Sequence, residues 1–252
     1  MKPLILISND DGVMAPGLHR LIETVAPLGE VIAVAPDTHQ SGKSSAMTVN
    51  GALRINTAPS VADAKVFSVS GTPVDCIKLA MNRIVPRKPD LVLAGINHGS
   101  NAGVNILYSG TMGAVLEGCI QGIPAVGFSL LHHSLAADFS HCLPWVEKIV
   151  KAVLEHSLPH DVCLNVNFPA KVAIEGLKVV RAARSHWTEE YQRYVDPHGK
   201  PFYWLTGGLI NEEPDATDTD MYWLDRNYAS VVPSTPSQNA LDALPAITSL
   251  LE

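Results

Sequence analysis

The sequence predicts an α/β fold: a doubly wound, mostly parallel, Rossmann-like three-layer sheet with an inserted β-hairpin and a C-terminal extension of β-hairpin character. Three observations carry that expectation. Short apolar runs without polar alternation, such as residues 4–7 and 91–94, read as strands buried on both faces. Such runs alternate with segments of helical periodicity through about residue 168. Charged residues make up only 17% of the 252 and apolar residues 46%, which suits a sheet covered on both sides.

The first strand, Leu4 to Ile7, stops on Ser8-Asn9-Asp10-Asp11-Gly12. Leu18, Leu21, Ile22 and Val25 then recur at helical spacing, with Pro16 near the start and Gly29 beyond the end. Val31 to Ala35 is a second strand, stopped by Pro36-Asp37 and followed by a polar loop over residues 38–43. Residues 46–58 alternate around Asn50-Gly51, the strongest short hairpin signal. Val66 to Val69 is the next strand. Gly71-Thr72-Pro73 then opens a helix, with Thr72 as cap and Pro73 at the first helical position, that buries Ile77, Ala80, Met81 and Ile84.

Leu91 to Ala94 repeats the opening theme and runs into a glycine-rich loop from Gly95 to Thr111. Met112, Val115, Leu116, Cys119 and Ile120 mark a helix, residues 124–131 a strand, residues 145–154 an amphipathic helix and residues 162–168 the last regular strand. From Leu177 onward the aromatic residues concentrate: Trp187, Tyr191, Tyr194, Tyr203, Trp204, Tyr222, Trp223 and Tyr228. This extension either packs back on the core or reaches a partner subunit. The chain is expected to be one domain over residues 1–252, with 1–176 as core and 177–252 as extension.

The formal net charge is -7 and no Lys/Arg cluster supplies an electrostatic footprint, which argues against polymeric nucleic acid as a partner. No stretch approaches a membrane span, and the N-terminal apolar run is too short for a signal-peptide core. Cys76, Cys119, Cys142 and Cys163 form no C-x-x-C pair and read as buried free thiols. A cytoplasmic location is the expectation.

Oxygen-bearing residues gather at strand and loop ends. Asp10, Asp11, Ser41 and Asn97 offer two carboxylates, a hydroxyl and an amide oxygen, a set suited to Mg²⁺, Mn²⁺ or Ca²⁺ rather than zinc or copper. Two adjacent carboxylates repel each other and call for a cation. The plainer alternative has Asp10 capping the next helix and Asp11 turning with Gly12. Neighbours in a strand point to opposite faces, so both aspartates reach one ion only if the backbone leaves the strand there, a bend that Gly12 makes easy.

Ser109-Gly110-Thr111 at a helix start can hold a phosphate on backbone N–H groups, or Ser109 or Thr111 can simply cap the helix. Lys43, His98 and Asn101 stand nearby as secondary candidates, with solvation of the lysine and ordinary loop hydrogen bonding of the histidine as the plainer readings. No G-x-S-x-G elbow, G-x-x-x-x-G-K-[ST] loop, H-E-x-x-H or G-x-G-x-x-G spacing is present.

Taken in order, Ile7-Ser8-Asn9-Asp10-Asp11-Gly12, Ala35-Pro36-Asp37 with Gln40-Ser41-Gly42, Ser70-Gly71-Thr72-Pro73, Gly95-Ile96-Asn97-His98-Gly99-Ser100-Asn101 and Tyr108-Ser109-Gly110-Thr111-Met112-Gly113-Ala114 resemble the survival protein SurE family. The resemblance continues through residues 165–169 and 217–220. It implies a metal-dependent 5′/3′-nucleotidase that hydrolyses nucleoside monophosphates, with short polyphosphates as further substrates. It implies one divalent ion, Mg²⁺ or Mn²⁺ with Co²⁺ as a third candidate, on Asp10, Asp11, Ser41 and Asn97. It also implies that Asn97, Ser109, Gly110 and Thr111 meet the phosphate, and that the chain forms a homodimer or homotetramer exchanging C-terminal segments. The pattern departs at Met221-Tyr222-Trp223, where the family shows a small residue, and at Val231-Val232-Pro233, where it shows a threonine before the proline.

Asp10 and Asp11 are accordingly the expected catalytic residues, with Asp10 also orienting the attacking water or taking its proton. A phosphatase of the haloacid-dehalogenase type needs an aspartate nucleophile where Asn9 stands. A non-catalytic metal- or nucleotide-binding module is the remaining alternative.

Overall fold

The computed structural model describes residues 2–134, 136–170 and 173–252. The chain lays down β1 (Leu4–Ser8), α1 (Pro16–Val25), β2 (Glu30–Pro36), β3 (Ile55–Val61), β4 (Ala64–Val69), α2 (Pro73–Leu79), β5 (Leu91–His98), α3 (Gly110–Ile120), β6 (Ala125–Leu130), α4 (Leu143–His156) and β7 (Cys163–Phe168). The extension adds β8 (Leu177–Val179), β9 (Ser185–Thr188), β10 (Tyr191–Val195), β11 (Pro201–Leu205), β12 (Gly208–Asn211), α5 (Asp220–Leu224), β13 (Ala229–Ser234) and α6 (Leu244–Leu251).

Among the described residues the main sheet has nine strands in the order β3-β4-β2-β1-β5-β6-β7-β13-β8. Strands β4, β2, β1, β5, β6 and β7 run parallel. The period of two along β1 divides its side chains between the layers. Ile5 and Ile7 face α1 and α4 with Leu18, Leu21 and Val146, whereas Leu4 and Leu6 face α2 and α3 with Ile77, Met112 and Val115. The predicted α/β class is therefore the observed one. Among the described residues no helix is long and apolar enough to cross a membrane, and all four cysteines are free and buried.

Several elements form for the reasons read from sequence. Thr72 accepts from Asp75 N while Asp75 Oδ2 accepts from Thr72 N, a complete capping box with Pro73 at the first position. The predicted hairpin, however, is misplaced. Residues 46–54 form no strand, and the hairpin is β3–β4, turning at Ala62-Asp63 with φ of 47° and 63°. Both turn residues are left-handed, as a two-residue type I′ connection demands. The Asn50-Gly51 segment spends its polar groups elsewhere: Thr48 N and Oγ1 donate to Asp75, and Thr72 Oγ1 donates to Ala46 O.

β5 also runs four residues past the expected end at Ala94, with a register shift against β6 between Ala94 and Asn97. That irregularity carries Asn97 and His98 to the strand's carboxyl end. The extension is divided. β8 and β13 join the main sheet, with β13 antiparallel to β7, while β9–β12 and β10–β11 form separate two-stranded ribbons.

Candidate active site

The parallel strand order reverses between β1 and β5, which is where open α/β sheets leave a crevice at the strand ends. Asp10 and Asp11 follow β1 at that point, and Asn97 stands one residue before the end of β5. The backbone does leave the strand at Ser8. Asn9 Nδ2 donates to Gly12 O at 2.9 Å and Gly12 N donates back to Asn9 Oδ1 at 3.3 Å. This turn, closed by Gly12 at φ +102°, frees both aspartates from the alternation of the strand.

Asp10 is 3% exposed, and its Oδ1 accepts from Thr111 Oγ1 at 2.6 Å. Its flank lies so close to the start of α3 that a Cβ on Gly110 would stand 2.8 Å from Asp10 Cβ. Burial and the neighbouring Asp11 push the Asp10 carboxyl above the ordinary value, against the hydrogen bonds from Thr111. The Asp11 side chain is equally buried. Its Oδ2 accepts from His98 N at 3.1 Å, and His39 Nδ1 stands 3.5 Å from its Oδ1.

The polar loop arrives over this pair. Gln40 N donates to Asp10 O at 2.7 Å, and Ser44 binds the opposite loop through Tyr108 O and Leu107 O. Ser41 is thereby held next to a residue that touches Asp10. Its hydroxyl is exposed and has no hydrogen-bond partner among the described residues. Asn97 is buried and spends its Nδ2 on Gly99 O at 3.0 Å, which orients its Oδ1 as an acceptor.

The donors fit a hard divalent cation. Two buried carboxylates adjoin each other, and His39 is the one basic side chain forming an ion pair with either among the described residues. Among those residues no cluster of three or more His, Cys, Asp or Glu side chains exists that could hold a metal ion, so a cation here must also draw on amide and hydroxyl oxygens. What remains is a pair of carboxylates, an amide oxygen and a hydroxyl, a set of oxygen donors alone.

At the start of α3, the capping alternative holds for Ser109, whose Oγ accepts from Met112 N at 3.0 Å. Thr111 is turned onto Asp10 through its hydroxyl. The N–H groups of Ser109 and Gly110 have no acceptor among the described residues. The secondary candidates separate from the centre. His98 contributes its backbone N–H, while its ring Nδ1 donates to Ser134 O at 3.0 Å and its edge packs on Phe139. Lys43 is exposed and forms no ion pair among the described residues. Asn101 is a scaffold residue whose Nδ2 donates to Ser129 Oγ and whose N donates to Asn167 Oδ1.

Sequence reading assigned no role to several residues that build this site. Asn165 Nδ2 donates to Asn101 O, and Asn167 Nδ2 donates to Asn165 Oδ1, so three asparagines lock the loop after β5. Asp220 is fully buried and accepts from Gly103 N, Ala183 N and Met221 N at 2.8 to 2.9 Å. Burial pushes its carboxyl above the ordinary value in spite of these donors. The available signal was the polar pair Asn165/Asn167 at alternate positions of an otherwise apolar strand, and a Thr-Asp repeat inside an aromatic-rich segment.

A family model described as survival protein SurE matches residues 5–189. A protein named 5′-nucleotidase SurE from Phocaeicola vulgatus is 47% identical over 233 residues, covering 92% of this chain and 91% of its own. One of the same name from Flavobacterium psychrophilum is 46% identical over 250 residues, covering 98% and 96%. Among solved structures, the crystal structure of SurE protein from Aquifex aeolicus superposes with a TM-score of 0.85 at 36% identity, covering 99% of this chain and 100% of that one.

Proposed function

Because the chain belongs to the survival protein SurE family, we propose that it is a metal-dependent phosphatase releasing phosphate from nucleoside 5′-monophosphates. The observation that carries this reading is the buried Asp10 carboxylate against the N-terminus of α3, with the buried Asp11 side chain next to it in sequence and the backbone donors of Ser109 and Gly110 unspent. Asp10, Asp11, Ser41 and Asn97 would hold one divalent cation, for which we propose Mg²⁺ or Mn²⁺, with Co²⁺ as an alternative.

When bound, such an ion polarises a phosphoryl oxygen and lowers the pKa of water at neutral pH. The protein's own groups do the rest. Ser109 N–H and Gly110 N–H, at the positive end of a helix dipole, receive phosphate oxygens and stabilise their charge. Thr111 fixes the rotamer of Asp10, which leaves the other carboxylate oxygen to orient a water or accept its proton. Asn97 acts through Oδ1, which the bond from its Nδ2 to Gly99 O holds in a fixed orientation. Asn9 is an amide at the position where a covalent phosphatase places its nucleophile, so direct attack by water is the reading retained.

We further propose activity on 3′-monophosphates and short polyphosphates, a cytoplasmic location consistent with four unpaired buried thiols, and a single α/β domain. Assembly into a homodimer or homotetramer is supported by the apolar residues left exposed on β11, notably Phe202, Tyr203 and Trp204, and on α6, notably Leu244, Ile247 and Leu250. The test is phosphate release from a panel of 5′- and 3′-monophosphates with Mg²⁺, Mn²⁺ or Co²⁺. Turnover that EDTA abolishes and added ion restores is expected; turnover indifferent to EDTA overturns the metal assignment.

A further inference from the structure

Asp220 opens α5 in the extension and is fully buried, yet no cation of the described residues pairs with it. Arg181, two residues before Ala183, spends its guanidinium on Glu213 and Asp218. The charge of Asp220 is met instead by three backbone N–H groups, which its two oxygens divide between them. Oδ1 accepts from Ala183 N and Met221 N, both at 2.8 Å and both in the extension. Oδ2 accepts from Gly103 N at 2.9 Å, in the core loop that follows β5. A carboxylate suits this junction because it offers two acceptor oxygens and no donor.

Gly103 begins a 3-10 turn, Gly103–Leu107, that leads towards the candidate centre. The extension grips this turn at two further points: Val104 N donates to Ser185 Oγ at 2.8 Å, and Trp187 Nε1 donates to Asn105 Oδ1 at 2.8 Å. The far end of the turn carries the loop that contains Ser41. Ser44 Oγ donates to Leu107 O at 2.6 Å, and Ser44 N donates to Tyr108 O at 3.1 Å. Ser41 therefore stands between Gln40, whose N–H is bound to Asp10 O, and Ser44, whose position the turn decides.

We propose that Asp220 is a positioning residue for the metal-binding loop: through Gly103 N its Oδ2 fixes the turn on which Ser44 rests, and so sets where Ser41 stands relative to Asp10 and Asp11. The proposal rests on the reading of Ser41 as a ligand of the cation. Asp220 itself touches no reacting group. Its substitution by asparagine separates the two halves of its role. The two bonds on Oδ1 outweigh the one on Oδ2, so the amide oxygen of Asp220→Asn stays with Ala183 and Met221. The amide nitrogen, a donor, is then turned on the donor Gly103 N–H. The extension keeps its own bonds while its tie to the core opens.

The test reads the loop directly and the metal separately. In metal-free Asp220→Asn, amide hydrogen exchange is expected to quicken at least about tenfold at Gly103, Tyr108 and Ser44 and to stay unchanged at Leu6 in β1, a local opening rather than a global one. Calorimetric Mn²⁺ affinity is expected to fall about tenfold, as for groups that orient a metal ligand. At saturating Mn²⁺, kcat stays within about threefold, since Asp10, Asp11 and Asn97 are untouched. Ser44→Ala also weakens Mn²⁺ binding, and the double variant weakens it no further than the stronger single one, because both act through one turn. Ser185→Ala, which removes another tie to the turn, quickens exchange at Tyr108 and Ser44 and weakens Mn²⁺ binding about threefold; it decides the question where Asp220→Asn does not fold. Unaltered Mn²⁺ affinity in these variants overturns the proposal, as do losses that multiply in the double variant or exchange that quickens equally in β1. Quickened exchange in a protein whose wild type hydrolyses no nucleotide leaves the relay standing and overturns the phosphatase reading alone.

Discussion

Thr111 Oγ1 donates to Asp10 Oδ1 at 2.6 Å, joining the start of α3 to the end of β1 across 101 positions of sequence. The bond sets which carboxylate oxygen faces the crevice. Thr111→Val conserves shape and packing at a fully buried position but removes the hydroxyl. The expected outcome is a drop of about 10- to 100-fold in divalent-metal affinity, measured by calorimetry, because groups that orient a metal ligand contribute on that scale.

Asp11→Asn keeps the acceptor for His98 N–H and removes one negative charge. Turnover at saturating metal is expected to fall at least about a hundredfold, in line with the loss of a single electrostatic group at a reacting centre. Steady-state phosphate release checks this; near-normal turnover removes Asp11 from the catalytic set.

Gly110→Ala places a Cβ 2.8 Å from Asp10 Cβ. So short an approach forces the Asp10 side chain or the start of α3 to shift, and either displaces the carboxylate from its bond with Thr111. A loss of kcat/KM of at least about tenfold is expected, together with about 1–3 kcal/mol of destabilisation from overpacking, read by kinetics and by urea unfolding.

Asp75 accepts from Thr48 N and Oγ1 and from Thr72 N. Burial works against its charge, but these donors outweigh it and hold the carboxyl below the ordinary value of 3.8. A depressed folded value stabilises the protein at pH above the unfolded value, and the benefit is lost as pH falls below 3.8 through the folded value. Asp75→Asn is therefore expected to cost about 2 kcal/mol near pH 7, with the difference from wild type shrinking in acid below that value. Unfolding curves from pH 7 to pH 3 give the answer; a gap that widens in acid contradicts the assignment.

Where a sequence signal was local, it was legible. The apolar runs of β1 and β5, the Thr72-Pro73 cap and the helical spacing of α1 each encode their own geometry in adjacent residues, and all are present. The Asp10-Asp11 turn was legible too, because Gly12 announces the bend. What failed depended on partners distant in sequence. Asn50-Gly51 is a strong turn signal, yet Thr48 found Asp75, 27 positions away, and the pairing strand for β4 began only at Ile55. Ala62-Asp63 gives almost no signal and still makes the turn, since β3 and β4 pair on either side of it, with a register shift between Ala58 and Val61. Asp220 could not be assigned from its neighbours for the same reason: its contact with Gly103 N spans 117 positions.

The antiparallel placement of β13 against β7 has a consequence for biogenesis. As synthesis proceeds, six parallel strands are complete once Phe168 has been added, yet the free side of β7 has no covering strand until Ser234 emerges. A nascent chain halted between those points leaves the edge of β7 unpaired, with Leu164, Val166 and Phe168 on it. Rapid elongation from Phe168 to Ser234 shortens the time for which that edge stands open.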